Sequence, residues 1–131
     1  MEKITSFKAH NLGVRSLAIH PTQPYVLSGS RARIRLWDWD WKCIRTFEEH
    51  WGYVCGVTFN PEDPNSFVSF TDSLKDHTIQ VWSLDSTKYK YSLSGHSHNV
   101  RCLDFFTCDS RKYLVTGSLD KTAKVCYFFE M

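Results

Sequence analysis

One motif, used three times, constrains this chain more than anything else in it. Its first copy is Ser28-Gly29-Ser30-Arg31-Ala32-Arg33-Ile34-Arg35-Leu36-Trp37-Asp38: a turn, a short strand of alternating character and a tryptophan at the strand's end. The second copy is Asp76-His77-Thr78-Ile79-Gln80-Val81-Trp82 and the third is Gly117-Ser118-Leu119-Asp120-Lys121-Thr122-Ala123-Lys124-Val125-Cys126. A histidine opens each unit, at 10, 50 and 96, and the third strand of each unit closes at 37, 82 or 126, so the period is 40 to 46 residues. A repeat of that size is one supersecondary unit that cannot bury its own apolar faces, and copies must stack to make a core. With 131 residues the chain is expected to be a single repeat domain over 1–131, with units near 8–48, 49–93 and 94–129.

Turn residues cut each unit into strands. In the first unit they leave runs at 14–19, 25–28, 34–37 and 43–47, the first stopped by His20-Pro21. The second unit gives 54–59, 67–70, 78–82 and 89–93, with Asn60-Pro61-Glu62-Asp63-Pro64 as its first turn. The third gives 100–105, 113–116 and 122–126 and no fourth strand, while Ile4-Thr5-Ser6-Phe7 reads as an outer strand waiting for a sheet. The expected fold is all-β, with about three antiparallel units of four strands, the last lacking its outer strand.

Composition removes several function classes. A hydrophobic content of 42% with 15% aromatics is that of a globular chain, and a formal charge of +2 provides no global field for nucleic acid. Residues 1–20 contain no signal-peptide core, and no run approaches the roughly 18 apolar residues of a membrane span. A soluble, cytoplasmic protein is the expectation. Five cysteines, at 43, 55, 102, 108 and 126, are an odd number without a CxxC pair, which argues for reduced, mostly buried thiols rather than a disulfide or zinc framework. His96-x-His98 lacks acidic or thiol neighbours at ligand spacing, so no metal site is expected, and no cofactor loop or small-molecule site is read.

Four strands per period with Gly-His and Trp-Asp punctuation is similar to the WD-repeat β-propeller blade. That resemblance implies a buried hydrogen-bonded chain in each blade, running from the opening His through a Ser or Thr on the second strand to an Asp in the turn and the Trp of the third strand. The second unit has the full set His50, Ser69, Asp76 and Trp82. The first keeps His10, Ser28 and Trp37 but has Arg31 at the acid's place; the third keeps His96, Thr116 and Asp120 but ends in Cys126. These groups are a structural staple; with no G-x-S-x-G turn, a hydrolase triad is not the reading, and no enzyme is expected.

A narrower resemblance rests on Ile19-His20-Pro21-Thr22-Gln23-Pro24-Tyr25-Val26-Leu27-Ser28-Gly29-Ser30, Leu36-Trp37-Asp38-Trp39 and Phe59-Asn60-Pro61-Glu62-Asp63-Pro64-Asn65-Ser66-Phe67. These stretches resemble the N-terminal propeller of the coatomer β′ family. The resemblance implies a non-catalytic scaffold in COPI-type coats, acting in Golgi-to-ER protein transport at the Golgi membrane surface, with dilysine cargo tails and other coat subunits as partners. Three departures oppose dilysine recognition. Leu12 stands where the family tends to place an aspartate, Arg31-Ala32-Arg33 replaces two consecutive acids, and the loop at Asp72-Ser73-Leu74-Lys75 is longer.

Propellers bind through loops at one end, which makes Arg15, Arg31, Arg33, Trp51, Tyr53, Lys75, His98 and Arg101 the candidate protein-binding residues. Three blades are fewer than the four to eight that close a propeller, so self-association is a further expectation, with residues 4–7 supplying the partner's missing strand. The alternatives are a truncated WD-repeat interaction protein without coat function, or a weak nucleic-acid binder. The latter would use Arg31, Arg33 and Arg35 on one strand face, with Trp39 and Trp41 stacking on bases.

Overall fold

β-branched and aromatic residues dominate the runs between Pro, Gly, Asn and Asp turns, and these runs form the sheets of the computed structural model, which describes residues 4–48, 52–72 and 77–128. Eleven strands are present among the described residues, and no helix. The first sheet is β1 (Ser16–Ile19), β2 (Val26–Gly29), β3 (Ile34–Trp37) and β4 (Cys43–Phe47), in that order. The second is β5 (Val54–Asn60), β6 (Asp63–Thr71), β7 (Ile79–Ser83) and β8 (Tyr89–Leu93), again in chain order. The third has three strands, β9 (Val100–Cys108), β10 (Arg111–Ser118) and β11 (Ala123–Phe128), with β10 central. Every pairing is antiparallel, as short hairpin connections require. This is a partial WD-repeat propeller.

Successive sheets bury their faces against one another. Leu27, Ile34, Leu36 and Phe47 of the first sheet meet Val54, Val57, Phe59, Phe67 and Trp82 of the second. Phe47 sits edge-on to Trp82, 5.4 Å between ring centroids, and Trp82 is fully buried. On the other side of the second sheet, Val68, Phe70, Ile79 and Val81 pack with Val100 and Leu114 of the third. Each such large apolar side chain contributes about 1.5–3 kcal/mol by leaving water. The middle sheet is therefore covered on both faces, which is why β6 and β7 are buried at consecutive positions rather than at alternate ones.

A histidine latches the first two sheets together at their other end. His20 Nε2 donates to the Pro64 carbonyl at 2.8 Å, and Nδ1 accepts from the amides of Thr22 (3.1 Å) and Gln23 (2.8 Å). One imidazole thus closes its own turn and reaches the neighbouring sheet.

Several expectations are corrected. Residues 4–7 are not a strand; Phe7 instead lies edge-on to Trp37 at 5.0 Å and stacked on Trp41 at 5.1 Å. An extended segment becomes a strand only by pairing, and none of the three sheets offers it a neighbour. The cysteines are not mostly buried: Cys43, Cys102 and Cys108 are exposed, and Cys55 and Cys126 intermediate, all five as free thiols. Cys102 and Cys108 lie on β9 of the third sheet, whose outer face no other sheet covers among the described residues. The strands β9 and β10 also run longer than their apolar cores, because Asp109 and Ser110 both take positive φ (52° and 65°) and turn the chain in two residues.

Candidate functional site

The polar chains inside the blades fix the loops that lie above them. Ser28 Oγ stands 2.7 Å from His10 Nε2 and accepts the Trp37 indole N–H at 2.9 Å, all three residues being buried. In the second blade the Trp82 indole donates to Ser69 Oγ at 2.8 Å; His50 and Asp76 lie outside the described residues. In the third, His96 Nδ1 donates to Asp120 Oδ2 (2.8 Å) and Nε2 meets Thr116 Oγ1 (2.7 Å). Cys126 occupies the third-strand position that the indole holds in the other two blades.

The first blade substitutes a cation for the acid. Its turn after β2 is one residue shorter than the corresponding turn after β10, and it carries Arg31, Ala32 and Arg33 where the third blade has Asp120 against His96. Arg35 reaches across instead, Nη1 donating to the Ala9 carbonyl at 2.7 Å. Burial first, and the Arg35 charge second, push the His10 imidazole below its ordinary pKa. In the third blade the Thr122 hydroxyl first, with His96 and nearby amides adding to it, holds the Asp120 carboxyl well below the usual carboxylate range.

The strand registers place the loops before each first strand and after each second strand at one end of the sheets, since Ser16 pairs with Gly29 and Val54 with Thr71. Tyr53 is the centre of that end. Asp72 Oδ1 accepts the Tyr53 amide at 3.0 Å, and the Asp72 amide donates back to the Tyr53 carbonyl at 3.1 Å. The Arg15 guanidinium lies 5.1 Å from the Tyr53 ring centroid, and Arg31 forms an isolated bridge with Tyr53. Arg15 and Arg101 both act electrostatically on the Cys55 thiol, but burial dominates, with Asp72 next, and the thiol pKa is raised. Arg15, Arg31 and Tyr53 thus share one patch, Arg101 lies near the start of β9 at the same end, and the three arginines are exposed.

Two further candidates lie in loops of the same end but have other partners. Arg33 pairs with Glu48 at 3.3 Å, and His98 stacks on His77, 6.1 Å between rings. Trp51 and Lys75 lie outside the described residues. Asp72 and His77 belong to this end but were not singled out from sequence; a loop carboxylate following a second strand was the available signal. The arginine stripe is corrected. β3 begins at Ile34, so Arg31 and Arg33 are loop residues, and only Arg35 is on the strand, part-buried against Ala9. Trp39 and Trp41 sit at the opposite end of β3, in the turn to β4, so the arginines and indoles form no joint platform.

Among the described residues no group of three or more His, Cys, Asp or Glu side chains is placed to hold a metal, and no helix is long and apolar enough to cross a membrane. The pattern of blades and staples has a counterpart among known families: the model of the WD domain, G-beta repeat, matches residues 1–38, 41–83 and 87–126. The chain belongs to the WD-repeat family. A rice protein named coatomer subunit beta'-2 is 51% identical over 84 residues, 63% of this chain and 9% of the rice protein. The coatomer subunit beta'-2 of Arabidopsis thaliana is 47% identical over 91 residues, 68% of this chain and 10% of its own length. Coatomer subunit beta' of the rat is 39% identical over 84 residues. This WD-repeat chain thus spans about a tenth of the curated relatives it matches.

Proposed function

We propose that the chain is a non-catalytic protein-interaction scaffold of the coatomer β′ type, working peripherally on Golgi and COPI vesicle membranes in Golgi-to-ER transport. The observation that carries this reading is the placement of Arg15 and Arg31 against Tyr53, with Arg101 on β9 at the same loop end, in a WD-repeat chain whose relatives are named coatomer subunits. Its partners are acidic segments of coat subunits and cargo tails, not dilysine tails. Charge-assisted bonds from guanidinium to carboxylate supply the affinity, and the Tyr53 ring offers an apolar contact beside them.

The exclusion of dilysine follows from charge. Leu12 is 52% exposed and has no carboxylate to offer a lysine, and Arg31 adds a positive charge where attraction would be needed. Two like charges about 4 Å apart at an effective dielectric near 20 repel by about 4 kcal/mol before salt screening. A weak peptide site does not survive that. The test is binding to purified coat subunits and to Golgi membranes, with Arg15→Glu and Arg101→Glu against Lys42→Glu in the opposite-end turn. The two loop-end variants lose binding at least tenfold while the control keeps it. Equal binding by all four proteins overturns the assignment of this end.

A further inference from the structure

The three blades share one register, and the third puts a different side chain at one of its positions. Ser28 pairs with Arg35 and Val26 with Trp37 in the first blade; Ser69 pairs with Gln80 and Phe67 with Trp82 in the second. In the third, Thr116 pairs with Lys124 and Leu114 with Cys126. Strand pairing thus makes Cys126 the counterpart of the two tryptophans, and its side chain brings neither a ring nor an N–H to that place.

The surroundings of that position are retained. Trp82 lies edge-on to Phe47 at 5.4 Å, stacks on Phe67 at 5.7 Å and 4°, and donates its indole N–H to Ser69 Oγ at 2.8 Å. Phe47 pairs with Ile34, as Leu93 pairs with Ile79. The counterparts of Phe47, Phe67 and Ser69 around Cys126 are therefore Leu93, Leu114 and Thr116. These three, with Ile79, His96 and Cys126, line a cavity of about 210 Å³ between the second and third sheets. The second and third blades supply every lining residue.

This cavity has both the room and the polar handle for a ring. An apolar cavity of about 150 Å³ already takes up benzene. Thr116 is 5% exposed, and its hydroxyl carries one proton and two lone pairs. Its contact with His96 Nε2 at 2.7 Å leaves at least one of those lone pairs for a donor. In the other two blades an indole N–H fills the corresponding place, at 2.9 Å from Ser28 Oγ and 2.8 Å from Ser69 Oγ.

We propose that the cavity beside Cys126 is a binding site for an indole-class ligand: a flat aromatic ring of indole size, packed on Leu93 and Leu114, that donates one N–H to Thr116 Oγ1. The ring supplies affinity by leaving water, and the single hydrogen bond sets its orientation. The site shares no residue with the patch around Tyr53, so it stands or falls independently of what that patch binds.

Calorimetric titration of the 131-residue chain with indole tests this. Indole should bind saturably, one per chain, and 1-methylindole, which lacks the N–H, should bind about tenfold more weakly. Cys126→Trp fills the cavity and should abolish binding. A readout that needs no variant is timed maleimide labelling with peptide mapping. Indole at ten times its dissociation constant should slow Cys126 about tenfold, since only the unliganded fraction reacts. Cys55, which does not line the cavity, should keep its rate. N-acetyltryptophanamide separates the sources of such a ring: binding like that of indole assigns the site to a tryptophan side chain of a partner, and exclusion assigns it to free small molecules. The absence of saturable heat at millimolar indole overturns the proposal, as does equal affinity for 1-methylindole. So does undiminished binding by folded Cys126→Trp, or equal slowing of Cys55 and Cys126.

Discussion

Replacing Ser28 with alanine removes one oxygen from the first sheet and leaves two buried polar groups without their partner. Ser28 is 2% exposed, and its Oγ holds His10 Nε2 at 2.7 Å and the Trp37 indole at 2.9 Å. A buried donor or acceptor deprived of its bond costs about 1–3 kcal/mol, so the two together cost about 2–4 kcal/mol after local relaxation. The volume removed is small, and the cavity adds little to this figure. Against a total stability of about 5–15 kcal/mol this is a large share, and in a chain of this length it lowers Tm by roughly 10 °C. Urea unfolding followed by tryptophan fluorescence and circular dichroism measures it. The companion experiment is a double-mutant cycle with Trp37→Phe, which removes the indole donor and keeps an aromatic ring. Ser28→Ala should then cost at least about 1 kcal/mol less in the Trp37→Phe background than in the parent. A single-variant loss under about 0.5 kcal/mol, or strict additivity, refutes the claim that this chain of bonds stabilises the blade.

Three other perturbations follow from the same geometry. His10 is held neutral by burial and by Arg35, so its folded pKa lies below the 6.5 of the unfolded chain. The unfolded state then binds more protons, and its stabilising share, present above pH 6.5, is lost as pH falls from there through the folded value. The urea midpoint drops between pH 7.5 and 5.5, and His10→Gln flattens that drop; an unchanged slope contradicts it. Gly56→Ala should cost about 2 kcal/mol or more in urea unfolding, because a Cβ there would overlap the Phe70 ring, itself buried in the second core. The exposed thiols Cys43, Cys102 and Cys108 should react with a maleimide at least about tenfold faster than Cys55 and Cys126, whose pKa values burial raises, as peptide mapping of timed samples will show.

Much of the strand order was legible because turn chemistry and the third-strand tryptophans punctuate the chain at fixed intervals. β4 and β8 run over the residues that their alternation marks, 43–47 and 89–93. What escaped the sequence depends on neighbours that no local pattern encodes. Residues 4–7 have the composition of a strand and lack one to pair with, and the exposure of Cys102 depends on whether another sheet lies over β9. The arginines at 31, 33 and 35 looked like one stripe because their spacing is two, yet a turn with Ala32 at φ 60° separates the first two from the strand. The site was legible as a set of loops, but not as a centre. Tyr53 gains that role from Asp72, Arg15 and Arg31, which come from both sides of it in sequence and meet only when the sheets stack.

The central claim is that the loop end inherits the scaffold but has exchanged attraction for lysine for attraction to acid. Calorimetric titration of the 131-residue chain with two C-terminal peptides, one ending in a dilysine pattern and the other with both lysines replaced by glutamate, tests it most directly. The acidic peptide should bind, more weakly as salt rises, the dilysine peptide should show no saturable heat, and Arg31→Asp should restore dilysine binding at the expense of the acidic ligand. Dilysine binding by the unaltered chain as tight as that of Arg31→Asp contradicts the account.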